Sequence, residues 1–180
     1  GFGVDPSRVG THPTLRTPIV FCEIHPPDRF PLLFYREPTA PDMTLVADEL
    51  DVAAIEAVPL FWTTGTGLSA EPSRTATLSA LARRRRRAIT VHDLDFRPMF
   101  WSSPDEAGHW GREAVRRATV AVGGRVEAAP LVGEHSPADT ARALLDLGVD
   151  LAVVKLGHEG VQLAGNEEAP HSITVYMDLT

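Results

Sequence analysis

The chain has 180 residues, of which 43% are hydrophobic and 23% are charged, and its formal net charge is −7. This length and apolar content predict a globular protein with a sizeable core. The longest apolar runs are far shorter than the ~20 residues that a membrane-spanning helix needs, which excludes a membrane span, and the acidic charge disfavours nucleic acid as a partner. A single cysteine, Cys22, excludes an internal disulfide and a cysteine-based zinc site. With no visible signal-peptide pattern, it favours the cytoplasm.

The first part of the chain predicts a small β unit. Two short apolar segments, residues 18–24 and 32–36, have the composition of strands. Between them, residues 25–31 contain three prolines and an aspartate, which is typical of an irregular loop. We therefore expect residues 1–45 to form a β appendage and residues 46–180 to form an α/β core.

From about residue 50 the chain alternates between apolar strands and helices. Ser103-Pro104 and Ser136-Pro137 each place an N-cap serine before a proline in the first helical position. The predicted strands are residues 57–62, 88–94, 119–122 and 151–155, and the predicted helices are residues 72–87, 103–117 and 136–148. This alternation predicts an α/β fold with a parallel sheet covered by helices on both faces. Residues 161–164 and 171–176 predict a closing hairpin.

The loops at the carboxyl ends of the strands are candidate binding sites, because ligands of open α/β sheets bind there. Residues 63–67, Thr-Thr-Gly-Thr-Gly, suit the close approach of a ligand, but a tight turn explains them equally well. Gly157 and Gly160 could line a nucleotide or could supply a turn that needs positive φ. These two loops leave both alternatives open.

A third loop carries Asp93, Asp95 and Arg97 at alternating positions after an apolar strand. The guanidinium of Arg97 can hold a carboxylate or a phosphate in a planar fork, and the acids can orient it or accept hydroxyl groups of a sugar. The alternative is an internal Asp–Arg pair that only fixes the loop.

Two further patterns suggest sites but have simpler explanations. The five arginines of residues 83–87 predict a solvated helix end, because positive charge is favourable there and the chain is acidic. The seven histidines have no metal-ligand spacing on one helix. We therefore expect neither a nucleic-acid patch nor a histidine-based metal site.

Several of these segments resemble a known enzyme family. Four segments are similar, in amino-acid sequence, order and spacing, to those of the ribokinase-like (PfkB) carbohydrate kinases. They are residues 16–24 (RTPIVFCEI), 34–37 (FYRE), 93–101 (DLDFRPMFW) and 154–160 (VKLGHEG). Within that family, the sequences of these segments most resemble those of kinases that act on a sugar acid of myo-inositol breakdown. The resemblance implies a ribokinase-like sheet with flanking helices, a small β lid, and ATP-dependent phosphorylation of the sugar acid with the help of Mg²⁺.

The resemblance also implies roles for individual residues. It places in the substrate site Phe34, Tyr35, Arg36, Asp93, Asp95 and Arg97. Arg97 would in addition reach the transferred phosphate and so be catalytic. It places on the nucleotide side Glu127, Lys155, Gly157 and Gly160. Glu127 corresponds to the acid of an Asn-x-x-Glu motif that handles metal and phosphate, here Gly124-Arg125-Val126-Glu127, and is expected to contact the metal indirectly.

The family's catalytic Gly-Ala-Gly-Asp loop does not occur in the 180 residues. We therefore expect a central piece of a kinase, incomplete at both ends, with little turnover as an isolated chain. The alternative is a non-catalytic α/β module that binds a ligand or a partner. The expected partners are a sugar acid, ATP and a second copy of the chain through the lid, but neither nucleic acid nor a membrane.

Overall fold

The computed structural model describes residues 3–26 and 29–167. Its strands are β1 (Ile19–Cys22), β2 (Leu32–Tyr35), β3 (Leu60–Thr64), β4 (Ile89–Asp93), β5 (Val120–Gly124), β6 (Leu151–Lys155) and β7 (Val161–Gly165). Its helices are α1 (Val52–Ala57), α2 (Ser73–Arg84), α3 (Pro104–Val115), α4 (Arg125–Val132) and α5 (Pro137–Asp146). The α/β class is confirmed. None of the helices in the described ranges is long and apolar enough to cross a lipid bilayer.

Strands β1 and β2 form an antiparallel pair that is separate from the main sheet and is called the lid below. On its inner face, the ring of Phe34 packs edge-on against the ring of Phe100, with 5.2 Å between their centroids. On its outer face lie Ile19, Phe21, Leu33 and Tyr35, which are 57%, 58%, 57% and 59% exposed. The lid therefore touches the rest of the molecule with one face and presents an apolar surface with the other.

The main sheet has the order β3-β4-β5-β6-β7. Strands β3 to β6 are parallel, as predicted, whereas β7 pairs antiparallel with β6. Only a short turn joins β6 to β7, and a parallel connection would need a crossover of a dozen residues or more. In that turn Gly157 and Gly160 have φ values of 62° and 94°, so the turn explanation of these glycines is confirmed. The predicted strand 171–176 lies outside the described residues.

The described helices α2 to α5 pack on one face of the sheet. Ala121 and Ala152 of this face are buried with Ala128, Ala141 and Leu144 of the helices. The buried cluster on the opposite face consists of strand residues, with no contribution from a described helix. The prediction of helices on both faces is therefore not met within residues 3–26 and 29–167. Both faces of the strands are apolar, which is why the sequence pattern favoured two covered faces.

The strong local signals for helix starts are confirmed. The hydroxyl oxygens of Ser103 and Ser136 accept hydrogen bonds from the backbone N–H groups of Glu106 and Asp139, each at 3.2 Å. Helices α1 and α4 were not predicted. Helix α1 has six residues and displaces the predicted start of β3 from residue 57 to Leu60.

The end of α2 differs from its prediction. Arg85 adopts a left-handed backbone with φ of 52°, so the helix ends at Arg84 instead of residue 87. The guanidinium of Arg84 is fully buried and donates hydrogen bonds to the carbonyl oxygens of Ile55 and Glu56, at 2.9 and 3.1 Å. The prediction that residues 83–87 form a solvated helix end is therefore wrong at Arg84.

Candidate functional site

The carboxyl ends of the parallel strands meet at the edge of the sheet next to the lid, and two cavities lie there. The larger cavity, of about 850 Å³, is lined by Arg97, Glu127 and Lys155. The smaller cavity, of about 320 Å³, is lined by Phe34 and Asp95, among others. Arg97 lines both cavities and therefore marks the boundary between them.

Arg97 is held between two carboxylates. Its Nη2 atom lies 2.8 Å from Oδ1 of Asp95, and its Nη1 atom lies 3.2 Å from Oε1 of Glu127. Its side chain remains 31% exposed. The internal Asp–Arg pair that the sequence left as an alternative is thus present, and the same guanidinium still borders both cavities.

Glu127 connects Arg97 to Lys155. Its Oε2 atom accepts a hydrogen bond from the backbone N–H of Gly124 at 2.6 Å, at the start of α4. The Nζ atom of Lys155 lies 3.4 Å from the same oxygen. A carboxylate at a helix N-terminus is favourable in the field of the helix dipole. This position lets Glu127 face two cations from two different strand ends.

Asp93 lies close to Lys155 and lines neither cavity. Its Oδ1 atom is 3.6 Å from Nζ of Lys155, and no described residue donates a hydrogen bond to that oxygen. Burial raises the pKa of Asp93, and the charges of Glu127 and Asp95 add to the effect, while Lys155 opposes it. Asp93 therefore lies beside Lys155 without lining the cavity that Lys155 borders.

Arg36 enters the smaller cavity from the end of the lid. Its Nη2 atom lies 2.5 Å from Oδ2 of Asp42, and its guanidinium carbon lies 5.5 Å from the centre of the Phe100 ring. The Phe100 ring also contacts Phe34 of the lid. These contacts fix Arg36 in a wall that it shares with Asp95 and Arg97.

The structure brings together most of the residues that the resemblance singled out, but not all of them. Those that line a cavity are Phe34, Arg36, Asp95, Arg97, Glu127 and Lys155. Those that line neither are Tyr35, Asp93, Gly157 and Gly160. Tyr35 lies on the outer lid face, where its ring contacts that of Phe21 with 5.7 Å between centroids.

Sequence reasoning missed several cavity residues. Thr64 and Thr66 line the smaller cavity, and Arg125 lines the larger one. The Thr/Gly loop had been considered as a site, and its position at a strand end was the signal that could have singled out the two threonines. Arg125 begins a helix that the sequence did not predict. Within the described residues, no group of three or more His, Cys, Asp or Glu side chains could hold a metal ion.

Charge and shape together suit anionic ligands. Three cations, Arg97, Arg125 and Lys155, border the larger cavity, and arginine in particular recognises phosphate and carboxylate groups. Open α/β sheets bind small-molecule ligands at the carboxyl ends of their strands, and here the lid lies at that edge of the sheet. Residues 2–176 match the family described as pfkB family carbohydrate kinase, and the chain belongs to that family. The resemblance seen in the sequence is thus confirmed.

Two curated relatives of the chain carry the same enzyme name. The chain is 33% identical over 165 residues to the 5-dehydro-2-deoxygluconokinase of Halalkalibacterium halodurans, which covers 89% of this chain and 50% of that protein. It is 31% identical over 148 residues to the enzyme of the same name from Clostridium beijerinckii, covering 79% of this chain and 43% of the relative. The chain therefore spans about half the length of the curated relatives that it matches.

Solved structures have the same fold. The PfkB protein from Polaromonas sp. JS666 matches with a TM-score of 0.72 at 25% identity, over 84% of this chain and 52% of that one. The fructokinase from Vibrio cholerae O395, solved in its fructose, ADP and calcium ion bound form, matches with a TM-score of 0.63 at 25% identity, over 74% and 43%. The fold class implied by the sequence motifs is in agreement with these structures.

Proposed function

We propose that this chain forms the sugar-acid- and nucleotide-binding part of an ATP-dependent kinase of the 5-dehydro-2-deoxygluconate type, acting in inositol breakdown. The observation that carries the proposal is the position of Arg97 between two adjacent cavities. The larger cavity would take the nucleotide and the smaller one the sugar acid. The names of the relatives support the substrate class, and the ADP and fructose bound to the Vibrio fructokinase support the two kinds of ligand.

Arg97 would act where the two ligands meet. Phosphoryl transfer depends mainly on positioning and on stabilisation of charge at the transferred group. From the boundary between the cavities, a guanidinium can face the terminal phosphoryl group of the nucleotide and the attacking hydroxyl of the sugar acid. Lys155 would face the nucleotide phosphates, and Glu127 would hold both cations in place through its two oxygens.

The lid side of the smaller cavity would bind the sugar acid. Phe34 would cover the sugar, and Arg36 would offer its remaining N–H groups to the carboxylate. Asp95 would accept hydroxyl groups or orient Arg97. Closure of a lid over such a site excludes water from the reaction. For Tyr35, Asp93, Gly157 and Gly160, which line neither cavity, the proposed contacts rest on the family resemblance alone.

Mg²⁺ would accompany the nucleotide and neutralise charge on its phosphates. The described residues do not form a direct ligand set for it. The oxygens of Glu127 already face Arg97, Lys155 and the N–H of Gly124. Glu127 is therefore proposed to contact the metal only indirectly, and no step is assigned to the metal.

Calorimetric titration tests the proposal. The wild-type chain should bind 5-dehydro-2-deoxygluconate and a non-hydrolysable ATP analogue, each with saturable heat. Arg97→Gln should weaken both affinities by about tenfold or more, because hydrogen bonds to charged groups contribute about 1.5–3 kcal/mol. Arg142→Gln, at a 70% exposed position on α5, is the matched control and should bind both like wild type. Saturable binding of neither ligand by the wild-type chain would contradict the proposal and favour a non-catalytic interaction module.

Turnover of the isolated chain should be low. The 180 residues contain no Gly-Ala-Gly-Asp sequence, whose Asp would be the general base. General-base catalysis contributes about 10²–10⁴ in rate. An ATP-coupled assay with 5-dehydro-2-deoxygluconate should therefore show turnover at least about a hundredfold below that of a full-length relative. Robust turnover by the isolated 180 residues would refute this expectation.

A further inference from the structure

The loop after β3 touches the loop after β4 through a glycine. A Cβ atom on Gly65 would lie 2.0 Å from the carbonyl oxygen of Leu94, a distance at which no side chain fits. This close backbone approach places Thr66 next to Asp95. The Thr66 hydroxyl donates a hydrogen bond to the Asp95 carboxylate, with 2.5 Å between Oγ1 and Oδ2.

Asp95 itself has an unusual backbone. Its φ is 36°, in the left-handed region that is costly for a residue other than glycine. Its second carboxylate oxygen, Oδ1, lies 2.8 Å from Nη2 of Arg97. One oxygen of Asp95 is thus bound by Thr66 and the other by Arg97, so the carboxylate links the β3 loop to the guanidinium.

We propose that Thr66 is a positioning residue. By fixing the Asp95 carboxylate, it fixes the direction of the Arg97 guanidinium at the boundary between the two cavities. A hydroxyl–carboxylate hydrogen bond is charge-assisted and therefore stronger than a neutral one. Without it, the carboxylate can rotate about its terminal bond and the strained backbone of Asp95 loses a tether. The effect on ligand binding rests on the proposed function, whereas the orientation of Arg97 does not.

Two measurements test the orientation of Arg97 and the effect on ligand binding separately. In ¹⁵N NMR spectra of the full 180-residue chain, the side-chain N–H signals of Arg97 should be resolved, because its ion pairs slow rotation of the guanidinium. Thr66→Val, which replaces the hydroxyl with a methyl group, should broaden or merge them, whereas Thr66→Ser, which keeps the hydroxyl, should leave them resolved. Thr64→Val is the matched control for this signal, because Thr64 lines the same cavity while the hydrogen bond to Asp95 comes from Thr66.

Calorimetry supplies the second readout. Thr66→Val should weaken binding of 5-dehydro-2-deoxygluconate about tenfold, and Thr66→Ser should recover most of that loss. Unchanged Arg97 signals in Thr66→Val, or a Thr66→Ser variant that behaves like Thr66→Val, would overturn the inference. If the wild-type chain binds no ligand, the proposed function fails while the Arg97 signals still decide the role of Thr66.

A measurement on the wild-type chain keeps the inference testable if Thr66→Val does not fold. A hydroxyl whose oxygen lies 2.5 Å from a carboxylate oxygen should hold its proton in the hydrogen bond, so that this proton exchanges slowly with water and is visible in the spectrum. A slowly exchanging Thr66 hydroxyl proton supports the inference, and a proton that exchanges as fast as that of an exposed threonine overturns it.

Discussion

His92, in β4, has a strongly perturbed pKa. It is fully buried, and its Nδ1 atom lies 2.9 Å from the hydroxyl oxygen of Thr63. Within the described residues its Nε2 atom has no hydrogen-bond partner. Burial lowers the pKa of His92 from 6.5 to about 4. The native state therefore keeps the imidazole neutral over a pH range in which the unfolded chain protonates it.

This shift predicts a loss of stability in acid. Between pH 6.5 and about 4 the unfolded chain binds a proton at His92 that the folded chain does not, so the free energy of unfolding falls as the pH falls through this window. Over the whole window, the buried neutral imidazole of His92 accounts for a loss of about 3 kcal/mol in the free energy of unfolding. Urea unfolding across this window should show a flatter pH profile for His92→Gln than for wild type.

The control for this prediction is His109→Gln, at an exposed position of α3. Its profile should follow that of the wild type. A His92→Gln profile as steep as the wild-type one would show that burial of this imidazole does not determine the acid sensitivity.

Arg84 is a second buried polar side chain whose contribution to stability can be tested. Its guanidinium binds the carbonyl oxygens of Ile55 and Glu56 and lies 3.2 Å from the hydroxyl oxygen of Thr90. Arg84→Ala leaves the partly buried carbonyl oxygens of Ile55 and Glu56 and the buried Thr90 hydroxyl without this donor, which should lower the free energy of unfolding by about 3 kcal/mol. The neighbouring Arg83 is exposed, so Arg83→Ala should change it by less than about 0.5 kcal/mol. Equal effects of the two substitutions in urea unfolding would contradict this account.

Arg84 also shows why sequence reasoning fails at single residues. Arginines at the end of a helix are usually solvated, and the sequence gives them that role. Burial of Arg84 depends on the carbonyl groups at the end of α1, a helix of only six residues whose N-cap, Asp51, was not recognised in the sequence. Because helix α1 was not predicted, its contact with Arg84 of α2 could not be predicted either.

At the scale of elements, the exposed outer face of the lid predicts self-association. Its outer face carries four apolar side chains that the rest of the described chain leaves exposed, including Phe21 and Leu33. Such a patch marks an interaction surface, and we propose that a second copy of the chain pairs with it. Sedimentation velocity should then show self-association that Phe21→Ser weakens about tenfold or more, because burying an aromatic ring contributes about 1.5–3 kcal/mol.

Val9→Ser is the control for the lid. Val9 is 72% exposed but lies outside the lid, so its replacement should leave self-association unchanged. A chain that stays monomeric at every concentration, or a Phe21→Ser variant that associates like wild type, would contradict pairing through the lid.

Elements with a strong local signal were predicted correctly. The starts of α3 and α5 follow from Ser-Pro caps, and the apolar segment of β6 was predicted with the bounds Leu151–Lys155. Helix α4 was missed because it follows β5 without a loop and contains Pro130, which usually interrupts a helix. Its position matters for the site, since α4 carries Glu127.

At the scale of the whole molecule, the sequence predicted which segments would meet and offered the Asp–Arg pair as an alternative, but it did not predict the ion pairs of Glu127. Asp95 and Arg97 follow β4, and Lys155 ends β6; the carboxyl ends of these parallel strands share an edge of the sheet. The strand order, which places β4 and β6 on either side of β5, brings Arg97 and Lys155 to the same carboxylate of Glu127. That order is set by packing of distant elements, so no local pattern contains it.

The central claim is that Arg97 joins the nucleotide side to the sugar-acid side of one site. The most direct test is the coupling between the two ligands, measured by titrating 5-dehydro-2-deoxygluconate with and without a saturating non-hydrolysable ATP analogue. For the wild-type chain, each ligand should raise the affinity for the other by the same factor, of about fivefold or more. For Arg97→Gln that factor should fall to about one, whereas equal coupling in the two proteins would contradict the claim.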